Sequence, residues 1–567
     1  MEEAQDAPAT PARFDLALSL AGGVSAGSWT AGVLDFIVEA LDAWEQAARA
    51  HSPDAPPHRL VISGLAGASA GAQAAALLTM ALAKRFPHVR LGTGEPQASQ
   101  VLKDNVLYAG WVDGATAEKL LDVRDRSDQI FKSLLDGSCT DEVSARALNT
   151  AANLPALGQP RRWLAEPLRV SMAVTNLEGV PLEVKMQTPQ PLRSFRLHAD
   201  TLRFAISGVG GTPARPARPD EVALAAPPSG CDDEGWQRFA RVAAASGALP
   251  VLLQERRVDW PRAAYEPVRV PPPAGLVAPP TFVPLWTKPV PGAPSTVAFT
   301  GADGGVLNNG PVDLAQDTLP PSQYTACEER PRVTSAVLIV HPLLGQPRRE
   351  APPDASLVGG RPHRLLGALA QAVWNDARIS PQDVMLALDE RQYTRFMIAP
   401  ARPDDPLHPD ATALAGSSLG ALGGYLHPAY REHDYQLGRA NAQWALRYHL
   451  TLPACDPLFN GWSKDQRVDL AVDGLAGPEL PLIPLMPALR VPEPTLRWPS
   501  GFDPVRDLEP LVKRRMDAVV RGLLESYLPR CPVGRWLLRV VWRLVFARRL
   551  RKQLLAQARQ GLEAHGL

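Results

Sequence analysis

The chain is poor in cysteine, in aromatic residues and in net charge. Its 567 residues include five cysteines, Cys139, Cys231, Cys327, Cys455 and Cys531. They are odd in number, far apart and never paired as C-x-x-C. No disulfide framework or zinc site is implied, and a reducing compartment is expected. Lys plus Arg equals Asp plus Glu at 59 each. The whole-chain charge therefore says nothing about nucleic acid, and any basic patch must be local; no nucleic acid is expected as partner. No uninterrupted run approaches the ~20 apolar residues of a membrane span. The start, MEEAQDAPATPARFD, is acidic and has no apolar signal core. No dense Asp/Asn loop has EF-hand spacing, so calcium is not suggested. These absences point to a cytoplasmic protein, with peripheral contact at the inner face of the membrane left open.

Hydrophobic residues make up 45% of the chain, which is enough for a large core, and prolines number 58. Phe14–Leu20 (FDLALSL) reads as a buried strand, followed by the loop AGGVSAG and a helix from about Ser28. Leu60–Ser63 reads as a second strand, then a turn at Gly67–Gly71 and a helix to about Lys84. Leu168–Val174 and Val333–Val340 read as further strands. Strand, tight turn and helix in alternation predict an α/β fold with a mostly parallel sheet. The proline clusters at Ser207–Ser229 and Pro267–Pro280 read as long surface loops, either inert insertions or a lid. After about Gly345 the pattern turns helical, with candidate helices at Leu365–Ala377 and Ile379–Glu390. No internal repeat is visible.

Gly67-Ala68-Ser69-Ala70-Gly71 is a G-x-S-x-G stretch between an apolar strand and a helix. Such a turn pushes a serine hydroxyl into the open, small neighbours let the backbone close up, and the following helix points its N-terminal N–H groups at a developing oxyanion. Gly22-Gly23-Val24-Ser25-Ala26-Gly27 also lies between strand and helix and can aim main-chain amides at an anion. It lacks the Lys-Ser/Thr of a nucleotide-binding loop. Asp303-Gly304-Gly305 can present a carboxylate free of crowding, although in isolation it reads as a plain β-turn.

Together these stretches resemble the patatin-like phospholipase family. "LRVSMAVTNLEGVPLEV" from Leu168, "FARVAAASGALPVLL" from Phe239 (with Ala245, Ser246 and Pro250) and "VLNNGPVDLA" after Asp303 follow the same family order. The likeness runs from about Phe14 to Leu344. It implies a three-layer α/β/α fold with a mostly parallel central sheet. It also implies a Ser–Asp dyad with Ser69 as nucleophile and Asp303 as base, without a catalytic histidine, metal or organic cofactor. The implied oxyanion hole comprises Gly22, Gly23, Val24 and Ala70, with Gly27, Gly67, Gly71, Gly304 and Gly305 in support. The substrate would be a phospholipid or another acyl-ester lipid. The family usually has glycine where Val24 stands and a basic residue where Ala26 stands, so either residue 24 takes an ordinary φ, the reading favoured here, or the hole is impaired. An acyltransferase and a lipid-binding scaffold remain as alternatives. His341 and His433 follow Asp303 in order and could serve a Ser–His–Asp triad.

The expected organisation is an acyl hydrolase domain over 12–345, a mainly helical extension over 346–530 and a cationic amphipathic helix over 531–567. In the last, Arg535, Arg539 and Arg543 recur every four residues among Trp536, Leu537, Val540, Val541, Trp542, Leu544 and Val545, with Arg548, Arg549, Arg551, Lys552 and Arg559 beyond and Glu563 the single acid. Two readings stay open: a helix docked on the core, or contact with an anionic membrane through 535–552. Oligomeric state is not legible.

Overall fold

The computed structural model describes residues 12–94, 96–126, 131–185, 192–265, 268–269, 281–284, 294–320, 333–343, 362–389, 393–402, 413–474, 477–528, 531–542 and 546–567. Cys327, most of Pro267–Pro280, and Arg543, Leu544 and Val545 lie outside these residues.

The expected sheet is present. β1 (Arg13–Leu20) pairs in parallel with β2 (Arg59–Gly67), which pairs in parallel with β3 (Arg161–Lys185). β4 (Leu192–Ser207) and β5 (Gly210–Pro213) each pair with β3, and β6 (Glu221–Ala225) pairs with β4. β7 (Arg256–Pro261) and the short β8 (Val268–Arg269) and β9 (Thr281–Pro284) follow. β10 (Thr296–Asp303) is antiparallel to both β3 and β7. β11 (Ser335–Val340) lies parallel to β1, and β12 (Arg395–Ile398) lies parallel to β11. The main order is therefore β12-β11-β1-β2-β3-β10-β7.

The central strands read as continuous apolar runs because both faces are covered. Leu16, Leu18 and Leu20 of β1, with Ala336, Leu338 and Val340 of β11, enter the larger core. That core is shared by α1 (Gly27–Arg49), α2 (Ala70–Ala81) and α3 (Glu234–Ser246). Ala17, Ala66, Val337 and Ile339 face the opposite side, under α4 (Val312–Thr318). Side chains that alternate between two cores define the α/β/α layering. Val24–Arg49 is long and apolar enough to cross a membrane by length and composition, yet it is mostly buried within this fold.

Two expectations change. The stretch Ser207–Ser229 is not all loop: it contains β5 and β6, with β6 pairing in parallel with β4. Its prolines fall at the end of β5 or outside β6, where no ladder donor is lost. The boundary near 345 also separates sequence patterns rather than packed bodies. The region beyond it adds β12 to the sheet and carries a small antiparallel sheet of Thr451–Pro453, Gly477–Pro481 and Val472–Gly474. Its long helix α5 (Pro428–Tyr448) lies against α1. Gly32 and Gly438 permit that contact: a Cβ on Gly32 would lie 1.9 Å from the Tyr435 carbonyl. Arg439 of α5 is fully buried and bonds Asp35 at 2.6 Å and Glu493 at 3.0 Å. Three helices, α6 (Pro504–Tyr527), α7 (Pro532–Val541) and α8 (Ala547–Glu563), end the chain.

Candidate active site

The apolar run of β2 ends at Gly67, and two residues later the chain turns at Ser69 into α2. Ser69 has φ 53° and ψ −126°, a left-handed conformation that costs a non-glycine residue free energy. Packing forces it. A Cβ on Gly71 would sit 2.0 Å from the Leu20 carbonyl, and one on Gly67 would sit 2.5 Å from Ala72 Cα. The Ser69 N–H donates to Ser246 Oγ at 2.9 Å, and that hydroxyl donates to the Ala173 carbonyl at 2.7 Å. α3 thus pins the turn to β3.

Asp303 closes β10 beside Val174 of β3. Its N–H donates to the Ala248 carbonyl at 2.9 Å, and its own carbonyl accepts from Thr175 Oγ1 at 2.7 Å. Oδ2 accepts the Ser69 hydroxyl at 2.8 Å, and Oδ1 accepts the Gly305 N–H at 2.7 Å. The carboxyl is only 1% exposed. Burial pushes its pKa up to about 7, against the two hydrogen bonds that pull it down. Its affinity for a proton is therefore in the range where it can both take and return one near neutrality.

The amide cradle differs in part from expectation. The Gly22 N–H is already spent on the Asn309 carbonyl at 3.1 Å. No described residue accepts from the N–H groups of Gly23, Val24 or Ala70. Val24 does not take an ordinary φ but sits at 52°, an outlier for a β-branched residue. Its N–H survives, and Val24, Ser69, Ala70 and Asp303 line one cavity. Gly27, Gly304 and Gly305 are packing positions, where the Trp111 ring, the Ala173 carbonyl and the Asn309 amide fill the space a side chain would need.

Neither histidine is among the residues lining the cavity that holds Ser69 and Asp303. The His341 ring accepts from the Leu343 N–H and faces the Arg378 carbonyl, both at 3.3 Å, and burial lowers its pKa to about 4. His433 Nδ1 is held by Asp434 Oδ1 at 3.0 Å, and the ring packs edge-on against Trp498.

The cavity holds about 960 Å³ of empty space, including its open mouth. Leu77, Met80, Trp111, Val143, Leu249 and Leu253 supply much of its apolar lining. Such a wall suits hydrocarbon beside the Ser69 hydroxyl.

Sequence reasoning passed over several participants. Ser246 lies in the A-S-x-x-x-P run and Asn309 in the N-N-G run, so both carried a local signal. Ser25 stands inside the glycine loop, whose sequence points only to main-chain amides and not to a role for its hydroxyl. Leu422 and Tyr425 also line the cavity, and no motif marks them.

A family model described as patatin-like phospholipase matches residues 18–315. "Uncharacterized protein y4iI" of Sinorhizobium fredii (strain NBRC 101917 / NGR234) is 29% identical over 561 residues, spanning 90% of this chain and 76% of that protein. With the match covering more than half its length, the chain belongs to the patatin-like phospholipase family.

Proposed function

We propose that the protein is a serine esterase acting on lipid acyl esters through Ser69 and Asp303, within the lipid acyl hydrolase activity its family implies. The observation that carries this reading is the 2.8 Å bond between the Ser69 hydroxyl and a buried carboxylate oxygen at a strained strand-to-helix turn. Ser69 Oγ attacks the ester carbonyl carbon while Asp303 Oδ2 takes the hydroxyl proton. The negative charge that develops on the carbonyl oxygen is met by the N–H groups of Gly23, Val24 and Ala70 and by the positive end of α2. As the tetrahedral adduct collapses, Asp303 returns the proton to the departing alcohol oxygen, leaving an acyl-Ser69 ester. Water then gives a proton to Asp303 and attacks that ester. Ser69 leaves as the alcohol by recovering the proton, and a fatty acid is released. Identifying the lipid products formed by the wild type and by Asp303→Ala in parallel, with and without added glycerol, tests the reading. Free fatty acid from the wild type alone supports it, and transfer to glycerol in place of water supports an acyltransferase.

We also propose that the protein works at an anionic membrane surface, reached through α7 and the start of α8. Val533, Trp536, Leu537, Leu538 and Val541 of α7 are exposed, with Trp536 at 63%. The cation Arg539 turns inward instead and pairs with Glu525 at 2.6 Å. Residues 531–562 contain seven arginines, one lysine and no acid, and Arg548, Arg549 and Lys552 are exposed without an ion pair to any described residue. An exposed apolar stripe bordered by unpaired cations is complementary to a lipid surface bearing negative headgroups.

A further inference from the structure

Leu422 and Tyr425 line the cavity in front of Ser69, although both lie well beyond the family match that ends at residue 315. They belong to a short segment, 413–426, that precedes α5. Three consecutive residues there have left-handed backbones: Leu419 at φ 56°, Gly420 at 67° and Ala421 at 69°. Two of the three are not glycine, so the surroundings must hold the segment in place.

Several bonds do so. Ser25, which follows Val24 in the amide loop, donates its hydroxyl to the Ala421 carbonyl at 2.6 Å and accepts the Gly424 N–H at 3.1 Å. The absence of a side chain on Gly424 is required, since a Cβ there would lie 2.5 Å from Ser25 Oγ. Asp434 of α5 accepts the N–H groups of Ala415 and Gly416, each at 2.8 Å. Buried Arg431 donates to the Gly424 carbonyl and to the Val112 carbonyl, each at 2.7 Å. It thereby couples the segment to the C-terminal end of the helix Val106–Trp111, whose Trp111 lines the cavity. The Tyr425 hydroxyl makes no hydrogen bond to a described residue, so that side chain contributes to the cavity chiefly through its bulk.

We infer that segment 413–426 is the wall that sets which acyl chains the active site accepts, with Leu422 and Tyr425 as its specificity-determining side chains. The inference rests on the esterase reading above. The region beyond 345 then forms part of the active site, and the family-matched region alone has an incomplete acyl cavity. The ligand is the hydrocarbon of a fatty acyl ester: the wall is apolar, its anchoring bonds are spent within the protein, and the reacting ester is held elsewhere, at Ser69.

The test is kcat/KM on p-nitrophenyl esters with saturated acyl chains of graded length, using the full-length protein. Leu422→Ala and Tyr425→Ala are expected to move the preferred chain to greater length. The ratio of long-chain to short-chain kcat/KM should rise by about fourfold for each extra methylene accommodated. Leu422→Phe, which fills space and does not depend on the fold tolerating a cavity, is expected to move the preference to shorter chains. Labelling of Ser69 by a fluorophosphonate reports whether each variant keeps an intact site. An unchanged chain-length profile in labelled Leu422→Ala, Tyr425→Ala and Leu422→Phe overturns this inference alone. Failure of the wild type to cleave any of the esters overturns the esterase reading and this inference with it.

Discussion

The Ser25 hydroxyl donates to the carbonyl of Ala421 at 2.6 Å, joining residues 396 positions apart. Ser25 follows Val24, whose N–H is one of the three open donors of the amide cradle. Ser25→Ala would strand the Ala421 carbonyl and the Gly424 N–H in a buried site, at a cost of about 1–3 kcal/mol for a buried group left unpaired. Val24 would also lose its neighbouring anchor. We expect a lower melting temperature and a fall in kcat of about tenfold with KM little changed. Unaltered kcat would show that the clamp does not support the cradle.

Val24 holds a left-handed backbone that glycine adopts without strain. Val24→Gly keeps the N–H and should retain kcat within about threefold without loss of thermal stability. Val24→Pro removes the N–H and also forbids the positive φ of residue 24, so it should lower kcat by about a hundredfold or more. Steady-state kinetics on both variants, with folding checked by circular dichroism, measure what the loop at residue 24 contributes. Wild-type turnover in Val24→Pro would remove residue 24 from the oxyanion hole.

In the proposed role of base Asp303 must be ionised, and burial raises its pKa to about 7. The pH profile of kcat/KM should therefore rise through about 7 and level off above it. Stability runs the other way. The folded carboxyl binds its proton more tightly than the unfolded one, whose pKa is near the ordinary aspartate value of 3.8. Its contribution is full below that value and is lost as pH climbs through about 7, at up to about 1.4 kcal/mol per pH unit. Asp303→Asn should accordingly gain stability relative to the wild type between about pH 4 and 7, then hold a constant difference. Denaturant titrations across that window would reveal the gain, and parallel curves would contradict a carboxyl held neutral by burial.

Much of the site was legible locally. The elbow at Ser69 could be read because an apolar strand, two glycines and an alanine-rich helix each state their geometry in adjacent residues. Asp303 needed its company, since D-G-G alone describes a turn. The φ of Val24 could not be read, because valine avoids that conformation and adopts it here under constraints from distant residues. The same holds for the segment around Leu422, whose backbone is set by Ser25, Arg431 and Asp434. The strand β6 was hidden by prolines that flank it without interrupting its ladder.

His341→Ala and His433→Ala should each keep kcat within about threefold, because neither ring lines the cavity with Ser69 and the Ser69 hydroxyl donates to Asp303. Reduced thermal stability is expected for each. A hundredfold loss of hydrolysis in either variant would restore a histidine to the mechanism.

The exposed face of α7 predicts a separation of binding from chemistry. Trp536→Asp combined with Leu537→Asp should weaken partition onto vesicles containing anionic phospholipid by at least about tenfold, given ~1.5–3 kcal/mol for each large apolar side chain buried. Hydrolysis of a soluble short-chain ester should not change. Equal sedimentation of variant and wild type with the vesicles would assign this face another role.

The most direct measurement is the release of free fatty acid from phospholipid vesicles by the wild type and by Ser69→Ala at equal concentration. Steady release is expected from the wild type and none above background from the variant, whose fold should be intact. Equal release from both proteins would contradict catalysis at Ser69.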